Sequence, residues 1–123
     1  MLVSLREILT MAENGGFAVP AFNTYNMETV MGVIAAAEQE KAPVIIQVYS
    51  RLFHSDNGYY LSPIILAAAK KASVPVCFHL DHGATEFEVL RGIRYGCSGI
   101  MIDASNYSLE ENIRITKRIM EIC

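Results

Sequence analysis

The sequence predicts an α/β fold in which a parallel sheet is covered by helices, and three observations predict it. Strand-like and helix-like segments alternate four times after a leading helix, at about the 30-residue repeat of a β-α-β unit. The strand-like runs, among them Val44 to Val48 and Val76 to Phe78, are almost wholly apolar or neutral, which suits strands buried on both faces. Polar residues collect where those runs end, so the helix-covered layers carry the core and one rim carries the chemistry.

Taken in order, Ser4 with Glu7 three positions on is a capping-box start, and Leu5, Ile8, Leu9 and Ala12 form the apolar stripe of the first helix. Asn14-Gly15-Gly16 ends it, because glycine accepts the left-handed backbone of a helix C-terminus. A strand is expected over Phe17 to Asn23, then a helix from about Asn26 to Lys41 with Met27, Val30, Met31, Ile34 and Ala37 at helical spacing. Pro43 marks the entrance to a second strand, Val44 to Tyr49, rich in β-branched residues. After a loop holding His54, Asp56, Asn57 and Gly58, Ser62-Pro63 reads as the start of a helix reaching about Ala72. Pro75 introduces the third strand, Val76 to Leu80; Thr85 with Glu88 is a second capping box, and its helix closes at Gly96. Gly99 to Ile102 is the fourth strand, and Ser108 with Glu111 opens the last helix, whose Leu109, Ile113, Thr116 and Met120 share a face.

Two architectures fit such a chain: a doubly wound open sheet, and the first part of a TIM (β/α)8 barrel. An open sheet gathers its ligand at one switch point, often with a glycine-rich loop, whereas a barrel presents polar residues at the C-terminal end of every strand. Asn23, Tyr49-Ser50, Asp81-His82 and Asp103-Ala104-Ser105 stand at four successive strand ends, and no GxGxxG or GxxxxGK[ST] is present. The barrel is favoured, with residues 1–123 as one domain and the four strands parallel and in sequential order. Asn23, Asp81, His82 and Asp103 should then share one rim.

Composition sets outer limits. With 52% hydrophobic and 19% charged residues, the chain is of globular and not disordered type. Its net charge of -3, with ten basic residues scattered along it, offers no basic stripe for a phosphate backbone, so nucleic acid is not expected as a partner. No apolar run approaches the ~20 residues needed to cross a bilayer, and no membrane partner is expected. Cys77, Cys97 and Cys123 are odd in number and widely spaced, which fits neither a disulfide framework nor a metal knuckle and suits a reducing cytoplasm.

His79-Leu80-Asp81-His82-Gly83 carries the most chemistry. A carboxylate at the end of a buried strand needs a partner, and a neutral imidazole is the commonest protein ligand for a transition metal. Residue types alone leave two readings: metal-assisted acid/base chemistry, or a hydrogen-bonded structural couple. Side chains alternate along a strand, so His79 and Asp81 project to one side while His82 sits at the break into the loop.

With these residues in view, the sequence resembles the class II, metal-dependent fructose- and tagatose-bisphosphate aldolases. The matching segments are Ala18-Val-Pro-Ala-Phe-Asn23 followed by Asn26, Ala42-Pro-Val-Ile-Ile46, Pro75-Val76 leading into His79-Leu-Asp-His-Gly83, and Ile100-Met-Ile-Asp103 leading to Glu110-Glu-Asn112. The resemblance covers the whole chain, and His-Leu-Asp-His-Gly followed one unit later by Met-Ile-Asp is its most specific part. It implies a complete eight-stranded barrel of which this chain is the N-terminal half. It also implies reversible cleavage of fructose or tagatose 1,6-bisphosphate to dihydroxyacetone phosphate and glyceraldehyde 3-phosphate.

Carried over residue by residue, the resemblance makes His82 a ligand of the catalytic divalent metal, usually Zn2+, and Asp81 the general acid/base. Asp103 becomes a candidate ligand of a second, monovalent cation site, and Asn23 and Ser50 candidate substrate contacts. The chemistry agrees, since a metal on the ketose-phosphate hydroxyl and carbonyl stabilises the enediolate while a fixed carboxylate moves the proton at the other reacting carbon. His79 reads as support for the strand, His54 as a solvated loop residue, and Met27, Met31 and Met120 as core fill. The chain departs from the family at two places. Tyr49 stands where a Ser or Thr usually follows the second strand, and Ala104-Ser105-Asn106 stands for Gly-Ser-His. The family's two further metal-binding His residues lie in the second half, so the 123 residues by themselves are expected to bind metal weakly and to lack activity. Open strand edges predict a homo-oligomer. The alternative to an aldolase is a non-catalytic half-barrel acting as an assembly or binding subunit.

Overall fold

A computed structural model describes all 123 residues. The elements run α1 (Leu5–Gly15), β1 (Ala21–Asn23), α2 (Met27–Glu40), β2 (Val44–Tyr49), α3 (Arg51–His54), α4 (Asn57–Lys71), β3 (Val76–Gly83), α5 (Glu86–Arg94), β4 (Gly99–Ile102) and α6 (Leu109–Ile122). The four strands form one sheet in the order β1-β2-β3-β4, every neighbouring pair parallel, as the alternation of segments requires. Parallel neighbours force each connection to cross the sheet, and the crossovers put α2, α4, α5 and α6 on one face.

Alternation along the strands then decides what each face holds. Val44, Ile46 and Val48 of β2 with Val76, Phe78 and Leu80 of β3 meet Val30 and Ala37 of α2, Leu61, Ile65 and Ala69 of α4, Val89 of α5 and Ile119 of α6 in the main core. On the opposite face, Ile45 and Cys77 pack with Ile8 of α1, so the leading helix seals the lower end of what a closed barrel would have as its interior. Further up this face, towards the C-terminal strand ends, apolar residues give way to Gln47, His79, Asp81 and Asn23.

Three of the four caps read from the sequence formed. Ser4 and Thr85 each make a reciprocal capping box with Glu7 and Glu88, and the Ser108 hydroxyl accepts the Glu111 N–H. Three boundaries differ from expectation, each for a physical reason. β1 begins at Ala21 and not Phe17; Pro20 lacks an N–H for the ladder and contributes only its carbonyl, which accepts the Ile45 N–H at 3.0 Å. The second crossover, from β2 to β3, carries two helices, and Pro63 lies inside α4 instead of opening it. The Ser62 hydroxyl is not an N-cap but donates to Gly58 O at 2.6 Å, and burial of Leu61, Ile65 and Ala69 against the sheet outweighs the N–H lost at Pro63. β3 continues past Leu80 to Gly83 through a register shift against β4, and that irregularity builds the site.

Candidate active site

Asp81 extends the inward-facing row of β3 and pairs in register with Tyr49 of β2, while Asn23 ends β1 one strand further on. Asn23 Nδ2 donates to Asp81 Oδ2 at 3.5 Å, which turns one carboxylate oxygen towards β1. Asp81 is buried, and its backbone carbonyl accepts the Ser50 N–H at 2.9 Å, fixing the end of β3 to the end of β2.

His82 departs from strand geometry. Leu80 faces Ile100 and Gly83 faces Ile102, so β3 spends one more residue than β4 across this interval. The extra residue is absorbed by a left-handed backbone at His82, φ 53°, a conformation that costs a non-glycine residue about 1–2 kcal/mol. Regular alternation would send residue 82 into the helix-packed core; the bulge re-aims it along the rim. There His82 Nδ1 lies 2.7 Å from Asp103 Oδ2 at the end of β4, and Nε2 lies 3.9 Å from Asp81 Oδ1. Gly83 follows because a Cβ there would stand 3.0 Å from the Met101 carbonyl oxygen.

The electrostatics assign the protons. Hydrogen bonds from Ser105 and then from His82 hold the Asp103 carboxyl down at about 2, so it is ionised at neutral pH and acts as acceptor. Nδ1 of His82 is therefore the donor, and in the neutral ring Nε2 keeps its lone pair towards the open rim. The same hydrogen bond to Asp103 raises the His82 pKa above its ordinary 6.5, with burial opposing and Asp81 adding to it. A carboxylate that orients an imidazole and raises its basicity is the usual support of a metal-binding histidine. Burial, only partly offset by Asp81, lowers the pKa of His79, whose buried Nδ1 has no hydrogen-bond partner.

Asn23, Asp81, His82 and Asp103 thus converge on one rim. Ser50 does not join them: it is buried in the turn from β2 to α3, where its N–H donates to Asp81 O and its carbonyl accepts the Phe53 N–H at 2.8 Å. Tyr49 is the side chain that reaches the rim from β2, its ring centroid 6.2 Å from that of His82 and nearly edge-on. His54 is not a free loop residue, since Nε2 pairs with the carboxylate of Glu88, which is buried, and Met27, Met31 and Met120 are exposed and not core fill. Sequence reasoning found Glu88 as a helix-capping residue and missed its burial; the neighbouring Val89, equally buried, was the available signal.

No three His, Cys, Asp or Glu side chains gather closely enough to hold a metal ion within this chain. Its donor set fits part of such a site: one imidazole with an oriented, unengaged nitrogen beside a carboxylate. No helix is long and apolar enough to cross a membrane.

A half-barrel of parallel strands whose C-terminal rim carries an acid, an oriented imidazole and a supporting carboxylate is the construction of (β/α)8 enzymes. The comparisons narrow this. The sequence model described as fructose-bisphosphate aldolase class-II matches residues 3–123. A fructose-bisphosphate aldolase of Thermus caldophilus is 43% identical over 121 residues, covering 98% of this chain and 39% of the relative. One from Giardia intestinalis is 40% identical over 120 residues, covering 97% and 37%. The crystal structure of the YdjI aldolase from Escherichia coli K12 superposes with a TM-score of 0.93 at 37% identity, covering 99% of this chain and 46% of that one. The chain belongs to the class II fructose-bisphosphate aldolase family, and it spans less than half the length of the relatives it matches.

Proposed function

We propose that these residues form the N-terminal half of the catalytic barrel of a class II aldolase that reversibly cleaves fructose or tagatose 1,6-bisphosphate to dihydroxyacetone phosphate and glyceraldehyde 3-phosphate. The observation that carries the reading is the His82–Asp103 contact on a bulged strand end, beside a carboxylate anchored by Asn23. His82 would bind the divalent metal, Zn2+, through Nε2; Asp103 would hold the ring in place through Nδ1 and, through a lone pair not used by His82 or Ser105, border a monovalent cation. When bound, the metal supplies Lewis-acid polarisation of the ketose-phosphate carbonyl. Asp81 takes and returns the proton of the hydroxyl formed or consumed as the carbon–carbon bond is made or broken, and Asn23 keeps its carboxylate facing that hydroxyl. A catalytic zinc site normally has three protein ligands, so those missing from this chain come from the other half of the barrel, and the assembled protein is a homo-oligomer.

The test is to join residues 1–123 to the C-terminal half of the Thermus caldophilus relative, with the 123-residue chain alone as reference. The fusion should bind zinc and cleave a ketose bisphosphate, and the chain alone should bind zinc weakly and cleave nothing. In the fusion His82→Ala should lose zinc, whereas Asp81→Ala should keep zinc and lose on the order of 10² to 10⁴ in rate. Unaided cleavage by the single chain, or equal loss of zinc in both variants, would overturn the assignment of roles.

A further inference from the structure

The left-handed turn at His82 persists only if its surroundings enforce it, because strained backbone is kept where neighbouring structure over-determines it. Three ties do so. On the near side the Ser50 N–H holds Asp81 O; across the sheet the Asp103 N–H donates to Gly83 O at 2.7 Å; on the far side the next two amides, Ala84 N and Thr85 N, both donate to the same Glu88 oxygen. Glu88 is 1% exposed. A carboxylate buried so completely in the first turn of α5 does more than cap a helix, for which a solvated side chain suffices, as Glu7 shows in α1.

The other Glu88 oxygen explains the burial. It pairs with His54 Nε2, and one turn further along α5 the Arg91 guanidinium donates to Phe53 O and lies 5.0 Å from the centroid of the Phe87 ring. Glu88 and Arg91 thereby clasp the C-terminal end of the one-turn helix α3. Because α3 follows Ser50 directly, the clasp closes a ring: β3 end to Ser50, Ser50 through α3 to His54, His54 to Glu88, and Glu88 back to the two amides after Gly83. Asp81, His82 and Gly83 are the segment inside that ring.

We propose that Glu88, braced by His54, is a positioning residue that holds the bulged turn of His82 and so sets the direction of its Nε2. The proposal rests on the reading of His82 as a metal ligand. Removing the brace frees Ala84 and Thr85, lets the turn relax towards an extended backbone and draws the imidazole off the rim.

The test uses the fusion described above and two readouts other than turnover: zinc affinity by competition with a chromophoric chelator, and hydrogen exchange at the amides of residues 84 and 85 in the metal-free protein. Glu88→Ala should lower zinc affinity 10- to 100-fold, the range for loss of a residue that orients a metal ligand, and accelerate exchange at both amides. Glu88→Gln, which keeps an oxygen for the amides, should recover most of the affinity. His54→Ala alters an exposed side chain and should fold in any case; it should lower affinity in the same direction by a smaller factor. Thr85→Ala removes the other half of the capping box and should destabilise α5 while leaving zinc affinity within twofold. Wild-type zinc affinity in a folded Glu88→Ala protein, in His54→Ala, or an equal loss in Thr85→Ala would each overturn the proposal. His82→Ala separates the two readings: if it too leaves zinc affinity unchanged, the metal assignment itself fails, whereas loss in His82→Ala alone sinks only the role of Glu88.

Discussion

Substituting Gly83→Ala tests whether the bulge geometry is set by close packing of β3 on β4. The added methyl would stand 3.0 Å from Met101 O, 3.2 Å from Leu80 Cδ2 and 3.6 Å from Val89 Cγ2. The side-chain atoms can shift, but the carbonyl belongs to β4 and can yield only if the strand moves. Overpacking of this kind costs about 1–3 kcal/mol, and the smaller conformational freedom of the unfolded alanine chain returns roughly 0.4–1 kcal/mol, leaving a net loss of about 1–2 kcal/mol. For a chain of this size that is a fall in Tm of roughly 4–8 °C. Since Gly83 O accepts the Asp103 N–H, any retreat of β4 also draws Asp103 away from His82, so zinc affinity of the fused barrel should fall together with Tm. Gly32→Ala supplies the control: Gly32 is exposed in the middle of α2, a Cβ there meets nothing within 4 Å, and the change should stabilise by about 0.5–1 kcal/mol. Thermal unfolding by circular dichroism and zinc titration measure both. A Gly83→Ala protein with unchanged Tm and unchanged zinc affinity would refute the reasoning.

Phe78→Ala, in the centre of the core between β3 and the helices, should cost about 3–5 kcal/mol, enough to unfold much of a marginally stable chain; a urea midpoint within error of wild type would contradict the packing described. The His82–Asp103 pair gives a pH signature with a definite sign. His82 has a raised pKa, so its contribution is complete below its ordinary 6.5 and is lost as pH rises through the raised value; Asp103 is depressed from 3.8 to about 2, so its contribution is present above 3.8 and lost as pH falls towards 2. The Tm difference between wild type and Asp103→Asn in the metal-free protein should therefore be largest between pH 4 and 6.5 and shrink above it, and a difference that grows towards pH 9 would reverse the assignment.

The sheet was legible because its signals are redundant. Val44 to Tyr49 and Val76 onward are apolar runs entered through prolines, and a capping residue opens each of α1, α2, α5 and α6, so composition, periodicity and helix starts agree on the same boundaries. The second crossover was illegible because its signals conflict. Ser62-Pro63 is the sequence pattern of a helix start, but the decision is made by Leu61 and Ile65 facing the sheet and by Gly58, where a Cβ would stand 2.9 Å from Leu52 O and would push α4 off α3. Such long-range contacts leave no trace within a short window of sequence.

That Asn23, Asp81, His82 and Asp103 share one rim was legible from strand-end position, whereas their arrangement depended on two features that no local pattern encodes. One is the bulge. Strand alternation correctly puts Asp81 with His79 on the inner face, but residue 82 reaches the rim only because β3 carries one residue more than β4, a count that exists only between two strands. The other is the division of labour around His82. From sequence, Asp103 and His82 are two candidate ligands; in space, Asp103 Oδ2 already accepts from His82 Nδ1 and Oδ1 from the Ser105 N–H at 3.0 Å. A carboxylate with both oxygens engaged can still approach a cation through its remaining lone pairs, but its first effect is on the imidazole, whose donor and acceptor nitrogens it fixes. The direction of Nε2 is thus decided within this chain, by a strained residue held between a carboxylate at the end of the next strand and a turn anchored to the following helix.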